Sequence, residues 1–301
     1  PAIVRASVCT RKYGMEPACL EKELGDSHIS MNPKKLIIVK PGCKELGNEL
    51  VNRMSIYAYG LEIGARVVNH SAYGYPWLLK AAHALYARYI GTRNGACSLR
   101  AWRAPIFLPP TKPLPIAQTC GSLYFFGWVF RNPVGIEKYR KEIVVAFTPH
   151  ERVRENIRST VSSLPAERTL IGVHVRQKPF LGFPHGDFLI SAKRVRTVVD
   201  EYMREKNLHA RDVALIIVSD LPIPEETFAG YDHRVVYGNT ETNLFLLARC
   251  SAVIGTNTTF SNVAAWFGTV PHIVTTHEPM DWEYYRNKAA YFENTYATFA
   301  F

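Results

Sequence analysis

The sequence predicts an α/β protein built from two Rossmann-type domains that face each other across a cleft. Strand-length apolar runs alternate with amphipathic helical stretches, and this pattern occurs twice along the chain. The length of 301 residues is enough for two domains of about 150 residues each. We expect the first domain to span residues 1–150 and the second 151–301. Residues 1–30 have mixed charge and no clear periodicity, which is typical of an extension.

The first domain begins with a predicted strand at residues 36–40, followed by a glycine-bearing loop. A helix is predicted over 49–64, because Leu50, Met54 and Leu61 recur at helical spacing. A second strand is predicted at 66–69. The proline-rich stretch 105–115 indicates an irregular loop.

The second domain begins with a charged helical stretch at 150–160. Strands are predicted at 170–175, 213–218, 234–237, 252–254 and 272–274, and helices at 191–206, 243–250 and 261–267. Strands that alternate with helices in this way are typical of a parallel sheet covered by helices.

The composition excludes several classes of protein. The apolar fraction of 47% and the charged fraction of 21% are those of an ordinary globular chain. No apolar run approaches the roughly 20 residues of a membrane span, and residues 1–10 lack the apolar core of a signal peptide. The six cysteines are scattered without a CxxC pair, so we expect neither a disulfide scaffold nor a cysteine-rich zinc site.

The formal charge of +10 is compatible with nucleic acid, an anionic surface or a small phosphorylated ligand. Nucleic-acid binding would need clustered basic residues with interleaved aromatic ones, whereas here the basic residues are dispersed. We therefore predict no nucleic-acid partner and keep peripheral contact with a membrane as an open alternative.

Candidate ligand-binding residues follow two of the predicted strands. His174 and Arg176 end the strand at 170–175 and point to the same side, at the strand end where ligands of open α/β sheets collect. The arginine fork suits a phosphate, although a surface ion pair is an equal alternative. Asp220 follows the strand at 213–218 and suits a sugar hydroxyl or a base edge, with a turn or helix cap as the simpler interpretation.

The loop before the helix at 261–267 contains many hydroxyl and amide groups. Asn257, Thr258, Thr259 and Ser261 lie where free N–H groups of a helix start bind anions. Their number favours a pyrophosphate site over simple helix capping. Sequence patterns for Walker A, HExxH, GxSxG and DxD sites are missing, so no metal-bridged diphosphate is indicated.

Together these residues resemble the α-1,2-fucosyltransferase family and the wider GDP-fucose-dependent fucosyltransferases of the GT-B type. The most specific match is Val173-His174-Val175-Arg176, which corresponds to a His-Val-Arg motif. The other four blocks are Leu46-Gly47-Asn48-Glu49 with Tyr57-Ala58, Phe126-Gly127-Trp128-Val129-Phe130, Val218-Ser219-Asp220, and Asn257-Thr258-Thr259-Phe260-Ser261 with Ala264-Ala265-Trp266.

The chain departs from the family pattern at three places. Gln177-Lys178-Pro179-Phe180 stands where the family has Arg-Gly-Asp-Tyr. Asn243 replaces an aspartate in the helix before the last block, and Glu49 replaces a glutamine. These changes affect the expected acceptor and activity more than the donor.

The resemblance implies a GT-B-like fold and an inverting transfer of L-fucose from GDP-fucose to a hydroxyl of a glycan acceptor, without a metal or other cofactor. It assigns catalysis to Arg176 and His174, and acceptor binding to the first domain. Donor binding is assigned to Asp220, Asn257, Thr258, Thr259, Ser261, Gly47 and Asn48. The candidate bases are Glu45, His185 and Asp187.

Two other functions remain open: a GT-B enzyme that uses another nucleotide sugar, and a catalytically inactive relative that binds GDP or a glycan. For localisation we favour the bacterial cytoplasm, because a glycan on the sequon Asn257-Thr258-Thr259 would block the predicted phosphate loop. The alternative is the luminal catalytic domain of a Golgi-type enzyme whose anchor has been removed.

Overall fold

The computed structural model describes residues 36–39, 45–68, 96–101, 106–108, 120–127, 129–178 and 189–287. The candidate bases His185 and Asp187 lie outside these residues, as do the 1–30 extension and most of the proline-rich stretch.

The first half of the chain forms a four-stranded parallel sheet and a small two-stranded sheet. Its strands are β1 (Leu36–Val39), β2 (Arg66–Val68), β3 (Ala96–Ala101), β4 (Ile106–Phe107), β5 (Ser122–Gly127) and β6 (Phe130–Arg131), and its helices are α1 (Leu46–Glu62), α2 (Pro133–Lys138) and α3 (Arg140–Ala146). The larger sheet has the order β2-β1-β5-β3, and β4 pairs with β6.

The second half of the chain forms a five-stranded parallel sheet with helices on both faces. Its strands are β7 (Thr169–Val175), β8 (Val213–Ser219), β9 (Asp232–Val236), β10 (Ala252–Gly255) and β11 (His272–Val274), and its helices are α4 (Glu151–Ser162), α5 (Ala192–Glu205), α6 (Thr240–Ala248), α7 (Thr259–Gly268) and α8 (Trp282–Arg286). The order is β11-β10-β7-β8-β9. Every residue of β8 is buried, as expected for a parallel strand covered on both faces.

One buried apolar cluster continues from the first half of the chain into the second. Leu50 and Met54 of α1 belong to the same cluster as Leu246 of α6 and Trp266 of α7. Asn52 holds α1 against the first sheet, since its side chain donates to Gly127 O at 3.1 Å and accepts from Phe130 N at 3.0 Å. The strands of the first sheet have their own buried cluster, to which α1 contributes Ile56 and Tyr59. Helix α1 therefore packs against the first sheet on one side and against the second half of the chain on the other.

Several helices begin earlier than the sequence predicts. The helix predicted from residue 49 begins at Leu46, so Gly47 and Asn48 lie in its first turn and not in a loop. Helix α6 begins at Thr240, three residues before its predicted start, because Asn239 Oδ1 accepts from the backbone N–H groups of Glu241 and Thr242. This cap extends the helix toward the sheet edge.

The structure contains a disulfide that the sequence did not predict. Cys97 of β3 and Cys120 form it, a single crosslink and not the disulfide scaffold that the scattered cysteines argued against. The two residues are 23 positions apart, and they meet because β3 and β5 are neighbouring parallel strands. Among the described helices, none is long and apolar enough to cross a membrane.

Candidate functional site

The candidate site lies at the carboxyl edge of the five-stranded sheet. His174 and Arg176 come from the end of β7, and Asp220 follows β8. The loop 256–258 follows β10 and leads into α7. Because β10, β7 and β8 are neighbours, the three predicted segments meet at one edge of the sheet.

His174 contacts the first turn of α7. Its side chain is buried, with 5% of the residue exposed, and its Nδ1 lies 2.6 Å from Ser261 Oγ. Burial and the nearby charge of Arg176 lower the pKa of His174 to about 4, against the opposing effect of Asp220. His174 is therefore neutral near pH 7 and holds α7 in place, while Arg176 supplies the positive charge.

Asp220 orders the segment that follows Arg176. Its Oδ1 accepts from the backbone N–H of Gln177 at 2.8 Å, and its Oδ2 accepts from that of Lys178 at 3.1 Å. The amide of Gln177 also donates to Ser219 Oγ at 3.0 Å and to Leu221 O at 3.1 Å. Gln177, one of the departures from the family pattern, thus ties the end of β7 to the end of β8. Each carboxylate oxygen of Asp220 retains acceptor capacity for a ligand.

The loop residues before α7 differ in their access to a ligand. Thr258 caps the helix, and its hydroxyl accepts from the backbone N–H of Ser261 at 3.3 Å. Asn257 is exposed and Thr259 is half-buried. Ser261 is fully buried and its hydroxyl faces His174, so it supports the loop from behind.

Gly47 brings the start of α1 against the start of α7. A Cβ atom at Gly47 would lie 2.7 Å from Phe260 N and 2.7 Å from Thr259 Oγ1, a distance that real side chains do not adopt. The two helix N-termini therefore adjoin, and each presents the positive end of its dipole. Asn48 is half-buried in this turn, and Glu45 is exposed at the N-cap of α1.

Sequence reasoning did not identify His272 and Asn262, which lie directly behind the loop. Both are fully buried, and His272 Nδ1 lies 2.7 Å from Asn262 Oδ1. Burial and the neighbouring His174 lower the pKa of His272 to about 3. A histidine at the start of the apolar run 272–274 was the one available signal.

Further polar atoms at this edge have no hydrogen-bond partner within the described part of the chain. They are the buried Oγ1 atoms of Thr256 and Thr275 and the buried Oδ1 of Asn243. In the same part of the chain, no group of three or more His, Cys, Asp or Glu side chains is arranged to hold a metal ion.

The structure is similar to that of the fucosyltransferase NodZ from Bradyrhizobium. The TM-score is 0.50 at 14% sequence identity, and the match covers 79% of this chain and 94% of NodZ. The chain has the GT-B glycosyltransferase fold. The carboxyl edge described above belongs to the five-stranded sheet, in the second half of the chain.

Two other solved structures show a weaker likeness to this GT-B chain. A mutant of Arabidopsis thaliana FUT1, in complex with GDP, has a TM-score of 0.49 at 12% identity, covering 90% of this chain and 77% of FUT1. POFUT1 in complex with GDP-fucose has a TM-score of 0.49 at 10% identity, covering 82% and 100%. No protein-family model and no curated protein matches the sequence.

Proposed function

We propose that this protein is an inverting glycosyltransferase that moves L-fucose from GDP-fucose to a hydroxyl of a glycan acceptor, without a metal ion. The main supporting observation is that the first turns of α1 and α7 adjoin, at Gly47 and Thr259. This junction lies at the sheet edge that holds Arg176. Two helix starts and an arginine form a place where a diphosphate is favoured.

In the proposed reaction, negative charge grows on the β-phosphate as the bond to fucose breaks. Arg176 and the positive end of the α7 dipole stabilise this charge. Neutral His174 keeps α7 in position through Ser261. Asp220 retains acceptor capacity for the nucleoside while it holds the backbone after Arg176. Asn257, Thr258, Thr259, Gly47 and Asn48 complete the proposed donor site.

The acceptor hydroxyl attacks the sugar from the face opposite the diphosphate, which inverts the configuration at that carbon. A carboxylate near the helix junction can take the proton of this hydroxyl. Glu45 is exposed at the N-cap of α1, two residues before Gly47, and we propose it as the base. His185 and Asp187 remain candidates on the sequence alone. We propose that the first half of the chain binds the acceptor.

Arg176→Ala tests this function directly. Removal of one charge-stabilising donor typically costs on the order of 10²–10³ in rate, so we expect a loss of that size in transfer from GDP-fucose to acceptors on a glycan array. Arg158→Ala is the matched control, because Arg158 is exposed on α4 and pairs with Glu151; its rate should equal that of wild type. A near-wild-type rate for Arg176→Ala would contradict the mechanism.

Calorimetric titration with GDP, UDP and ADP tests the choice of donor. We expect a clear preference for GDP. An equal affinity for GDP, UDP and ADP would favour a GT-B enzyme that uses another nucleotide sugar. Asn243 stands where the family has aspartate. This departure favours one further candidate, an inactive GDP-binding relative. Tight GDP binding without transfer to any acceptor would support that candidate.

The disulfide between Cys97 and Cys120 bears on localisation. Disulfides persist in oxidising compartments and are rare in the cytoplasm. We therefore propose an oxidising compartment in place of the cytoplasmic location favoured by the sequence. Thiol counting by mass spectrometry, on native protein isolated without reductant, should find Cys97 and Cys120 oxidised.

A further inference from the structure

A continuous set of hydrogen bonds joins the buried end of β11 to the exposed loop before α7. His272 Nδ1 lies 2.7 Å from Asn262 Oδ1. Asn262 Nδ2 lies 2.9 Å from Asn257 Oδ1 and 3.0 Å from the backbone oxygen of Thr258. His272 and Asn262 are both fully buried, whereas Asn257 is exposed at the candidate site.

The direction of these hydrogen bonds follows from one atom that can only accept. The backbone oxygen of Thr258 requires a donor, so Asn262 presents its NH₂ group to it. Asn262 Oδ1 then faces His272, and His272 Nδ1 must have the proton. The second hydrogen of Asn262 Nδ2 points to Asn257 Oδ1. Asn257 Oδ1 therefore faces Asn262, and the NH₂ group of Asn257 faces away from it.

The tautomer of His272 agrees with this direction. Its Nε2 is buried and has no hydrogen-bond partner in the described part of the chain. A protonated Nε2 would leave a donor unpaired in the interior and would place two acceptors, Nδ1 and Asn262 Oδ1, against each other. Both arrangements cost free energy, whereas the Nδ1–H tautomer satisfies the pair.

We infer that His272 is a positioning residue that fixes the amide of Asn257 with its N–H groups facing the bound diphosphate. This inference rests on the proposed function, because it assumes that the loop binds a nucleoside diphosphate. His272 does not touch the ligand. It acts through Asn262: together with Thr258 O it holds the Asn262 amide in the orientation that donates to Asn257 Oδ1, so that Asn257 offers donors to a negatively charged group.

Calorimetric titration with GDP on a set of variants tests this role. Asn257→Ala should weaken GDP binding by about tenfold or more, as expected for a lost hydrogen bond to a charged group. His272→Leu should also weaken it, because Asn262 Oδ1 then loses the imidazole donor and the buried amide is held less firmly against Asn257. His272→Asn, whose Nδ2 can take the place of the imidazole Nδ1–H, should restore the affinity. His233→Leu is the control, since His233 lies on β9, where its Nδ1 contacts Tyr231 O.

The double variant separates positioning from a general loss of structure. If His272 acts through Asn257, His272→Leu should not weaken GDP binding further in the Asn257→Ala background. An additive loss in the double variant, or a failure of His272→Asn to restore affinity, would overturn the inference.

The tautomer is measured without any nucleotide. The ¹⁵N chemical shifts of His272 in the wild-type protein should report Nδ1–H at neutral pH, and an Nε2–H tautomer would overturn the inference. If the wild-type protein binds no GDP, UDP or ADP, the proposed function fails, whereas the tautomer still decides the direction of the hydrogen bonds.

Discussion

Two buried histidines, His174 and His272, contact the first turn of α7 from the strands on either side of β10. Each is neutral in the folded protein, with a pKa lowered to about 4 for His174 and to about 3 for His272. At the residue scale, the position of the phosphate-binding turn in our proposal therefore depends on neutral imidazoles. Protonation of these imidazoles in acid should therefore weaken the contacts that hold the first turn of α7.

The contribution of His272 to the stability of the protein should fall as the pH falls below the ordinary histidine pKa of about 6.5. Between about pH 6 and 4 the unfolded chain binds a proton at residue 272, whereas the folded chain, with a pKa of about 3 there, does not. Stability from this group is thus present above the unfolded pKa and is lost on acidification. We expect His272→Asn to lose stability less steeply than wild type, by about 1.4 kcal/mol per pH unit.

Denaturant unfolding at several pH values measures this difference in slope. Glu62 and Glu241, whose pKa values burial raises to about 7, act in the opposite direction, because the folded state then gains protons first as the pH falls. Their effect is common to both proteins and cancels in the comparison. Equal slopes for the two proteins would contradict the prediction.

The sequence predicted the position of a site residue only where the neighbouring residues along the chain identify the element that it follows. Arg176 and Asp220 follow apolar strand runs, so their place at the sheet edge was predictable. The backbone contacts of Asp220 and the pairing of His272 with Asn262 depend on which strands are neighbours. The order of the strands in a sheet cannot be read from a local sequence pattern, so these contacts could be identified only in the structure.

At the scale of elements, the buried strands of the five-stranded sheet were the most predictable part of the fold. Strands β7, β8 and β10 begin and end within one residue of their predicted bounds, because a strand covered on both faces is a nearly continuous apolar run. Strand β3 was not predicted. It lies at the edge of its sheet and includes the exposed Ser98, so its pattern does not differ from that of a loop.

The disulfide between β3 and the start of β5 should stabilise the first sheet. Replacement of Cys97 and Cys120 by alanine should lower the free energy of unfolding by about 3 kcal/mol, the usual effect of a crosslink that closes a loop of this length. Guanidinium unfolding with and without a reductant measures the loss. The reductant should destabilise wild type by a similar amount and leave the double variant unchanged; a reductant effect on the variant would show another cause.

At the scale of the whole molecule, helix α1 joins the two halves of the chain. Its Leu50 and Met54 lie in the apolar cluster of α6 and α7, and its Ile56 and Tyr59 lie in the cluster of the first sheet. A helix that is part of two cores couples their unfolding, whereas domains without such a link open separately. The boundary near residue 150 stays a prediction about function and chain order. The apolar cluster of α1, α6 and α7 crosses that boundary.

We therefore expect both sheets to unfold in one transition. In native-state hydrogen exchange, the slowest amides of β1 and of β8 should report the same free energy of opening. Leu50→Ala, a truncation in the cluster that α1 shares with α6 and α7, should lower both values by about 2–5 kcal/mol. A decrease confined to β1 would show that the two halves open independently.

The contact of Gly47 with Thr259 and Phe260 also restricts recombination between proteins of this fold. A chimera joined between α3 and α4 would combine one parent's α1 with the other parent's α7. Any side chain at position 47 would come within 2.7 Å of the backbone of Phe260. A chimera should therefore fold only if the first parent has glycine at position 47, or if α1 and α7 come from the same parent.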